Sequence, residues 1–188
     1  MPDNTLLRFY AGTGPNSRGH FLKEIHAWTD NRLELDHNFI QWLFPTDEES
    51  ATNPAAPVLD AETIKQFRSK RRLRIHLQTS LDRMLRFYGL EMRANVPLKV
   101  VCAPNFSERA GAWITPKNHN HLRITRILRS LRLLGLETNA TAFYECLVDI
   151  CGEEAGRTFP GISHETFRFW RSAAGAHQVL PVSGRAVS

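Results

Sequence analysis

A chain of 188 residues, 42% of them hydrophobic and 23% charged, is long enough to bury one core, and it contains no run near the roughly 20 apolar residues that cross a bilayer. The net charge of +5 is unevenly spread: residues 62–88 hold eight basic side chains against Glu62 and Asp82, residues 117–132 hold five and no acid, and the remainder is acidic. A surface polarised in this way favours anionic partners and argues against acidic-protein or membrane-spanning classes.

The opening MPDNTLLRFYAG lacks the basic start and apolar stretch of a secretory signal, so the expected location is cytoplasmic, or nuclear if the source is eukaryotic. After a Gly-rich segment (residues 12–19), Phe21, Leu22, Ile25 and Trp28 fall on one face of a first helix over about residues 21–29. In LELDHNFIQWLFP, Phe39, Ile40, Leu43 and Phe44 mark a short helix that starts near Asp36 and stops before Pro45. The polar, then Pro-punctuated residues 46–59 read as an ordered loop.

Asp60 is the expected N-cap and Gly89 the expected stop of one long helix. On it Lys65, Arg68, Arg72, Arg83 and Arg86 line up as a basic stripe at 100° per residue, while Lys70, Arg71 and Arg74 lie beside the apolar side and signal a flanked neighbour or a kink. PLKVVCA (residues 97–103) is the one β-branched run, in the least regular part of the chain.

The segment HNHLRITRILRSLRLLGLE then reads as a helix from about Asn120 to Leu134 with Gly135 as its stop, and residues 140–151 and 164–173 follow as two more. Its Ile124, Ile127, Leu128, Leu131 and Leu134 fill an arc of about 120°, the width of a core-facing stripe. Arg126 and Arg129 lie opposite, and Arg123 and Arg132 border the stripe. Four guanidinium forks without an acid suit either a polyanion backbone or acids supplied from elsewhere in the fold.

The expected fold class is therefore all-α: a compact single-domain bundle of roughly six or more helices with irregular Pro/Gly-rich loops, over residues 1–175, followed by a mobile tail over residues 176–188. Three cysteines without C-x-x-C spacing are expected to be reduced thiols. No nucleophile elbow, HExxH or paired carboxylate is present, so a non-enzymatic module with no cofactor is expected.

Three of these blocks, LELDHNFIQWLFP, LRFYGLEM and HNHLRITRILRSLRLLGLE, together with TNPAAP (residues 52–57), resemble the conserved domain of the opioid growth factor receptor family over approximately residues 5–175. The resemblance implies a helical domain unlike seven-helix opioid receptors, an association with the nucleus and with an enkephalin peptide in animal members, and, at this size, a domain-only bacterial or fungal relative. On matched positions it implies a shared surface at His37, Gln41, Trp42, Asn120, Arg123, Thr125 and Arg126.

The expected site is a groove where the DHNFIQWLFP element meets the start of the Asn120 helix, lined by His37, Gln41, Asn120, Arg123 and Arg126, with Trp42, Lys117 and Arg129 alongside. Its expected ligand is nucleic acid, DNA or RNA with weak sequence preference, held there and on Lys65, Arg68 and Arg72. A peptide-binding receptor-like module is the second reading, for which an exposed Trp42 would be an anchor and a buried Trp42 would leave the apolar contact to other side chains, weakening it. A metal-dependent hydrolase centred on His119 and His121 is the third.

Overall fold

The computed structural model describes residues 5–50, 53–94, 96–151 and 161–176; the expected tail lies outside the described residues from His177 onward. Ten helices and one hairpin are formed among them: α1 Thr5–Ala11, α2 Leu22–His26, α3 Asp30–Leu35, α4 Ile40–Leu43, α5 Ala61–Ser69, α6 Arg71–Tyr88, β1 Leu90–Arg93, β2 Lys99–Cys102, α7 Phe106–Ala110, α8 His119–Leu133, α9 Glu137–Cys151 and α10 His164–Ala174. The fold is all-α in class, with the strands paired antiparallel and Leu90 opposite Cys102.

α8 is the spine. Ile124, Ile127, Leu128 and Leu131, the stripe read from the sequence, are wholly buried between α9, which supplies Phe143 and Leu147, and α10, which supplies Trp170. Gly135 (φ 87°) reverses the chain after α8, and the Leu136 N–H returns to the Leu131 carbonyl at 2.8 Å, closing the helix as its glycine indicated.

The first helix expected over about residues 21–29 ends at His26, the one expected from near Asp36 begins at Ile40, and α3 and α7 form where none was expected; two further departures have a clear physical cause. α1 forms in a stretch with no helical expectation, because Phe9 and Tyr10 are fully buried and the Tyr10 hydroxyl donates to the Leu43 carbonyl at the end of α4. Tertiary burial, not propensity, makes this short helix.

The long basic helix is two helices, broken at Lys70, which adopts an extended conformation (φ −95°, ψ 102°). Asp60 does cap the first, accepting from the Thr63 N–H at 2.7 Å. The break re-phases the apolar side, so that Phe67 on α5 and Leu73, Leu77 and Leu81 on α6 all reach the core. It also means that Lys65 and Arg68 sit on a different helix from Arg72, and the single continuous stripe drawn across residues 65–86 does not exist.

Gly89 ends α6 in the left-handed region (φ 77°), and a β-carbon there would lie 2.9 Å from the Phe106 Cα and the Arg109 Cβ. Gly89→Ala is expected to cost on the order of 2 kcal/mol in urea unfolding, from strained φ and backbone overlap together.

On the other side of the bundle His26 sits 2.8 Å from the Ser80 hydroxyl, and burial, helped by the nearby His76, Arg83 and Arg86 charges, pushes its imidazole down to about 4. The unfolded chain takes up this proton from about pH 6.5 downward and the folded chain does not until about pH 4, so stability is full above this window and falls through it. The loss by pH 4 should approach about 3 kcal/mol and shrink in His26→Gln, read by urea titrations across that range.

Candidate binding groove

α4 and α8 meet where the sequence places them. Asn118 caps α8: its side-chain oxygen accepts from the Asn120 N–H at 2.9 Å, and its amide nitrogen donates to the Ala112 carbonyl (3.0 Å) and the Thr115 hydroxyl (2.8 Å). Lys117 precedes it in the left-handed region (φ 56°), exposed to solvent. The N-terminus of α8 is thus capped by its own chain and is not open to an outside anion.

The arginines of α8 have partners that the sequence did not disclose. Arg123 is only 4% exposed; it donates to the Asp36 carbonyl at 2.9 Å and to the Asn120 side-chain oxygen at 3.2 Å, with the Glu34 carboxylate 3.9 Å away. Burial draws its guanidinium below the ordinary arginine value, opposed by the nearby acids. Arg126, half-buried, donates to the Phe44 carbonyl at 3.3 Å. Arg129 bridges Asp47 (2.8 Å) and Glu48 (2.7 Å), the acids of the polar loop. Arg132 donates to the Ser172 and Ala173 carbonyls, both at 3.2 Å.

The same contact recurs through the molecule. Arg83 donates to the Trp28 carbonyl just past α2 (2.6 Å), Arg109 to the Phe87 carbonyl in the last turn of α6 (2.8 Å), Arg74 to the Phe67 carbonyl near the end of α5 (3.3 Å), and Arg68 to the Arg132 carbonyl at the end of α8 (3.1 Å). With Arg123 on the end of α3, Arg126 on α4 and Arg132 on α10, six helices among the described residues have a carbonyl at their C-terminal end held by an arginine, and Arg83 holds the Trp28 carbonyl in the link between α2 and α3. These carbonyls are the acceptors that a helix leaves unpaired, at the negative end of its dipole.

The expected site residues divide accordingly. His37, Gln41, Arg123, Arg126 and Arg129 do line a groove of about 500 Å³ between α4, α8 and the 46–50 loop. Asn120 does not line it: it is fully buried, and its amide donates to Glu34 at 3.2 Å. Trp42 is buried edge-on against Phe9 (5.3 Å), which removes the exposed aromatic anchor from this surface. Gln41 too is largely buried, and in the orientation that satisfies both ends its amide nitrogen donates to the His37 and Asn38 carbonyls. Lys117, Lys65 and Arg72 are exposed away from the groove, and Lys65 and Arg72 have no hydrogen bond or ion pair among the described residues. Arg68 is not free for a ligand, being bonded to α8 and to Glu137.

The two histidines of NHNH diverge. His119 faces Glu34 (3.3 Å) and the edge of His37 (5.1 Å), and burial and the Arg123 charge hold it below the ordinary histidine value. His121 turns inward, 2.9 Å from the Trp113 carbonyl, and burial lowers it as well. Among the described residues no group of three histidine, cysteine or carboxylate side chains is placed to hold a metal, so the hydrolase reading finds no donor set.

Sequence reasoning missed the apolar part of the groove. Leu122 is 74% exposed and with Ile40 lines the groove beside Glu48 and Glu49. Its signal was available: Leu122, with Leu133, is one of the two leucines of α8 that fall outside the core arc.

Residues 2–174 match the family model for the opioid growth factor receptor (OGFr) conserved region. The chain belongs to the opioid growth factor receptor conserved-region family. It is 35% identical to the human opioid growth factor receptor over 160 residues, covering 82% of this chain and 23% of that protein. It is 40% identical to the mouse receptor over 139 residues, covering 72% of this chain and 22% of the receptor, and 32% identical to mouse opioid growth factor receptor-like protein 1 over 174 residues, covering 89% and 36%. The chain thus spans well under half the length of these relatives. No solved structure matches it. No helix among the described residues is long and apolar enough to cross a membrane, although the relatives are named receptors.

Arg123→Met should lower unfolding free energy by on the order of 2–4 kcal/mol, because it strands buried acceptors and Glu34. Arg72→Met should stay within about 0.5 kcal/mol of the parent. Urea titrations of the two variants check the contrast.

Proposed function

We propose that this domain is a non-enzymatic binding module that holds a short peptide segment in the groove between α4 and α8. The observation that carries the reading is the exposed Leu122, beside the largely buried Ile40, in a groove whose arginines are already bonded to carbonyls and carboxylates. A peptide supplies both the side chains to cover such a leucine and the amides to meet the polar rim of the groove. The relatives are named receptors of an opioid growth factor, which agrees with a ligand of this class. A polyanion, by contrast, needs guanidinium groups free to meet phosphates, and bonding to Arg123, Arg126 or Arg129 would require breaking contacts that hold the fold.

A second reading rests on a different surface. Lys65, Arg71 and Arg72 are exposed near the α5–α6 break and have no acid partner among the described residues, so a salt-sensitive nucleic-acid contact belongs there and not in the groove.

Short synthetic peptide pools with free ends, captured on immobilised protein and identified by mass spectrometry, test the first reading. Leu122→Asp is expected to weaken the strongest captured peptides by at least about tenfold. Capture of nothing, or capture indifferent to Leu122→Asp, removes it. Labelled DNA and RNA titrated at two salt concentrations test the second, which requires Lys65→Gln with Arg72→Gln to weaken binding and Arg126→Gln to leave it largely unchanged.

A further inference from the structure

The groove does not end at Arg129. Thr125 and Arg129 line it and also line a second cavity of about 590 Å³, which Leu133, Phe169 and Ser172 carry toward α10. Arg132, Phe169 and Ser172 pass in turn into a third cavity, of about 520 Å³, beside Arg168 and Arg171. Neighbouring depressions share lining residues, so the three adjoin in a row along α8 from His119 to Arg132. At 1.5 Å per helical residue this is about 20 Å, which an extended chain rising roughly 3.3 Å per residue covers with about six residues.

The two ends of this row differ. At the α4 end Arg123 and Arg129 are answered by Glu34, Asp47 and Glu48, which leaves Glu49 facing the half-buried Arg126. At the α10 end Arg132, Arg168 and Arg171 face one acid, Glu165. Arg132 and Arg171 there are bonded to carbonyls and to the Tyr144 hydroxyl, neutral partners that leave their charges uncancelled. Arg168 is exposed and has no hydrogen bond or ion pair among the described residues. Each end also presents an exposed apolar side chain, Leu122 at 74% and Phe169 at 55%.

We propose that this row of depressions takes one extended peptide of about six residues in a single direction, its C-terminal carboxylate at Arg168 on α10 and its body over Phe169, Thr125 and Leu122 toward α4. This rests on the peptide reading above and adds the ligand's length, its direction and the group that sets it. A carboxylate suits the α10 end because a fork of guanidinium donors meets it there, while the α4 end, with four acids (Glu34, Asp47, Glu48, Glu49) against three arginines (Arg123, Arg126, Arg129), does not attract it.

The test uses the full chain and two soluble pools of peptides of about six residues, identical except that one has free carboxyl termini and the other is amidated. The free-carboxyl pool is expected to be retained about fivefold better at half-saturation, and Arg168→Gln should bring that ratio close to one without weakening retention of the amidated pool. Arg168→Gln should leave thermal unfolding unchanged, since the side chain is exposed and unpartnered among the described residues. Equal retention of the two pools overturns the inference and leaves the peptide reading standing. Arg168-dependent retention of amidated peptides enriched in Asp or Glu overturns the stated direction, since the carboxylate then comes from a side chain. Retention of neither pool overturns both.

Discussion

The constraint on which this fold depends is the satisfaction of helix C-terminal carbonyls by arginines from other elements. Many short helices packed into one small domain leave many helix ends inside it, and each end presents acceptors that cannot be left dry. The Trp28 carbonyl is buried and most of the others are part-buried, where water is a poor partner. A guanidinium suits such places, because its aliphatic stem lies along apolar surface while its planar fork offers several donors in fixed directions. Arg123, Arg126, Arg74, Arg109, Arg68 and Arg132 close α3, α4, α5, α6, α8 and α10 in this way, and Arg83 holds the Trp28 carbonyl in the link between α2 and α3. The contacts join residues far apart in the chain, so they set the relative positions of helices as well as their ends.

α8 shows why one helix carries so many of these residues. Its apolar stripe is buried against α9 and α10, and its arginines radiate from the rest of the cylinder to the ends of α3, α4 and α10 and to the acids of the 46–50 loop. Because those side chains reach sideways to their partners, the helix surface between them is left as a row of adjoining depressions, with Leu122 and Thr125 in its lining. The structural role of the arginines and the existence of the groove are two results of one arrangement. The functional reading follows from what remains uncommitted after the clamps are made: apolar side chains along α8 and an excess of positive charge at α10.

Much of this was legible in the sequence wherever the cause is local. The stripe of Ile124, Ile127, Leu128 and Leu131, the stop at Gly135 and the cap at Asp60 depend on periodicity, left-handed backbone and a short polar side chain, and all three form. The juxtaposition of His37 and Gln41 with Arg123 and Arg126 also followed from the blocks that carry the family resemblance. What was hidden depends on contacts across the chain. α1 exists because Phe9 and Tyr10 find a core, and the break at Lys70 lets Phe67 on α5 and Leu73, Leu77 and Leu81 on α6 all reach it. The arginine partners left no mark in the sequence at all, since every residue has the same carbonyl and only the fold decides which of them lacks a donor. Acids would have been a visible sign of pairing, and in α8 only Arg129 is paired mainly with acids.

The most direct measurement of the clamping role is the arginine side-chain NMR spectrum of the folded protein, with nitrogen labelling and resonances assigned by single Arg→Lys substitutions. A guanidinium bonded to a fixed carbonyl has restricted rotation and resolved terminal nitrogens, whereas a solvated one averages them. Arg83, Arg109, Arg123, Arg126 and Arg132 should show resolved, slowly exchanging groups, and Arg71 and Arg72 averaged ones. Averaged spectra for all of these arginines would contradict the clamps and return the α8 arginines to the solvent, free for an anionic ligand.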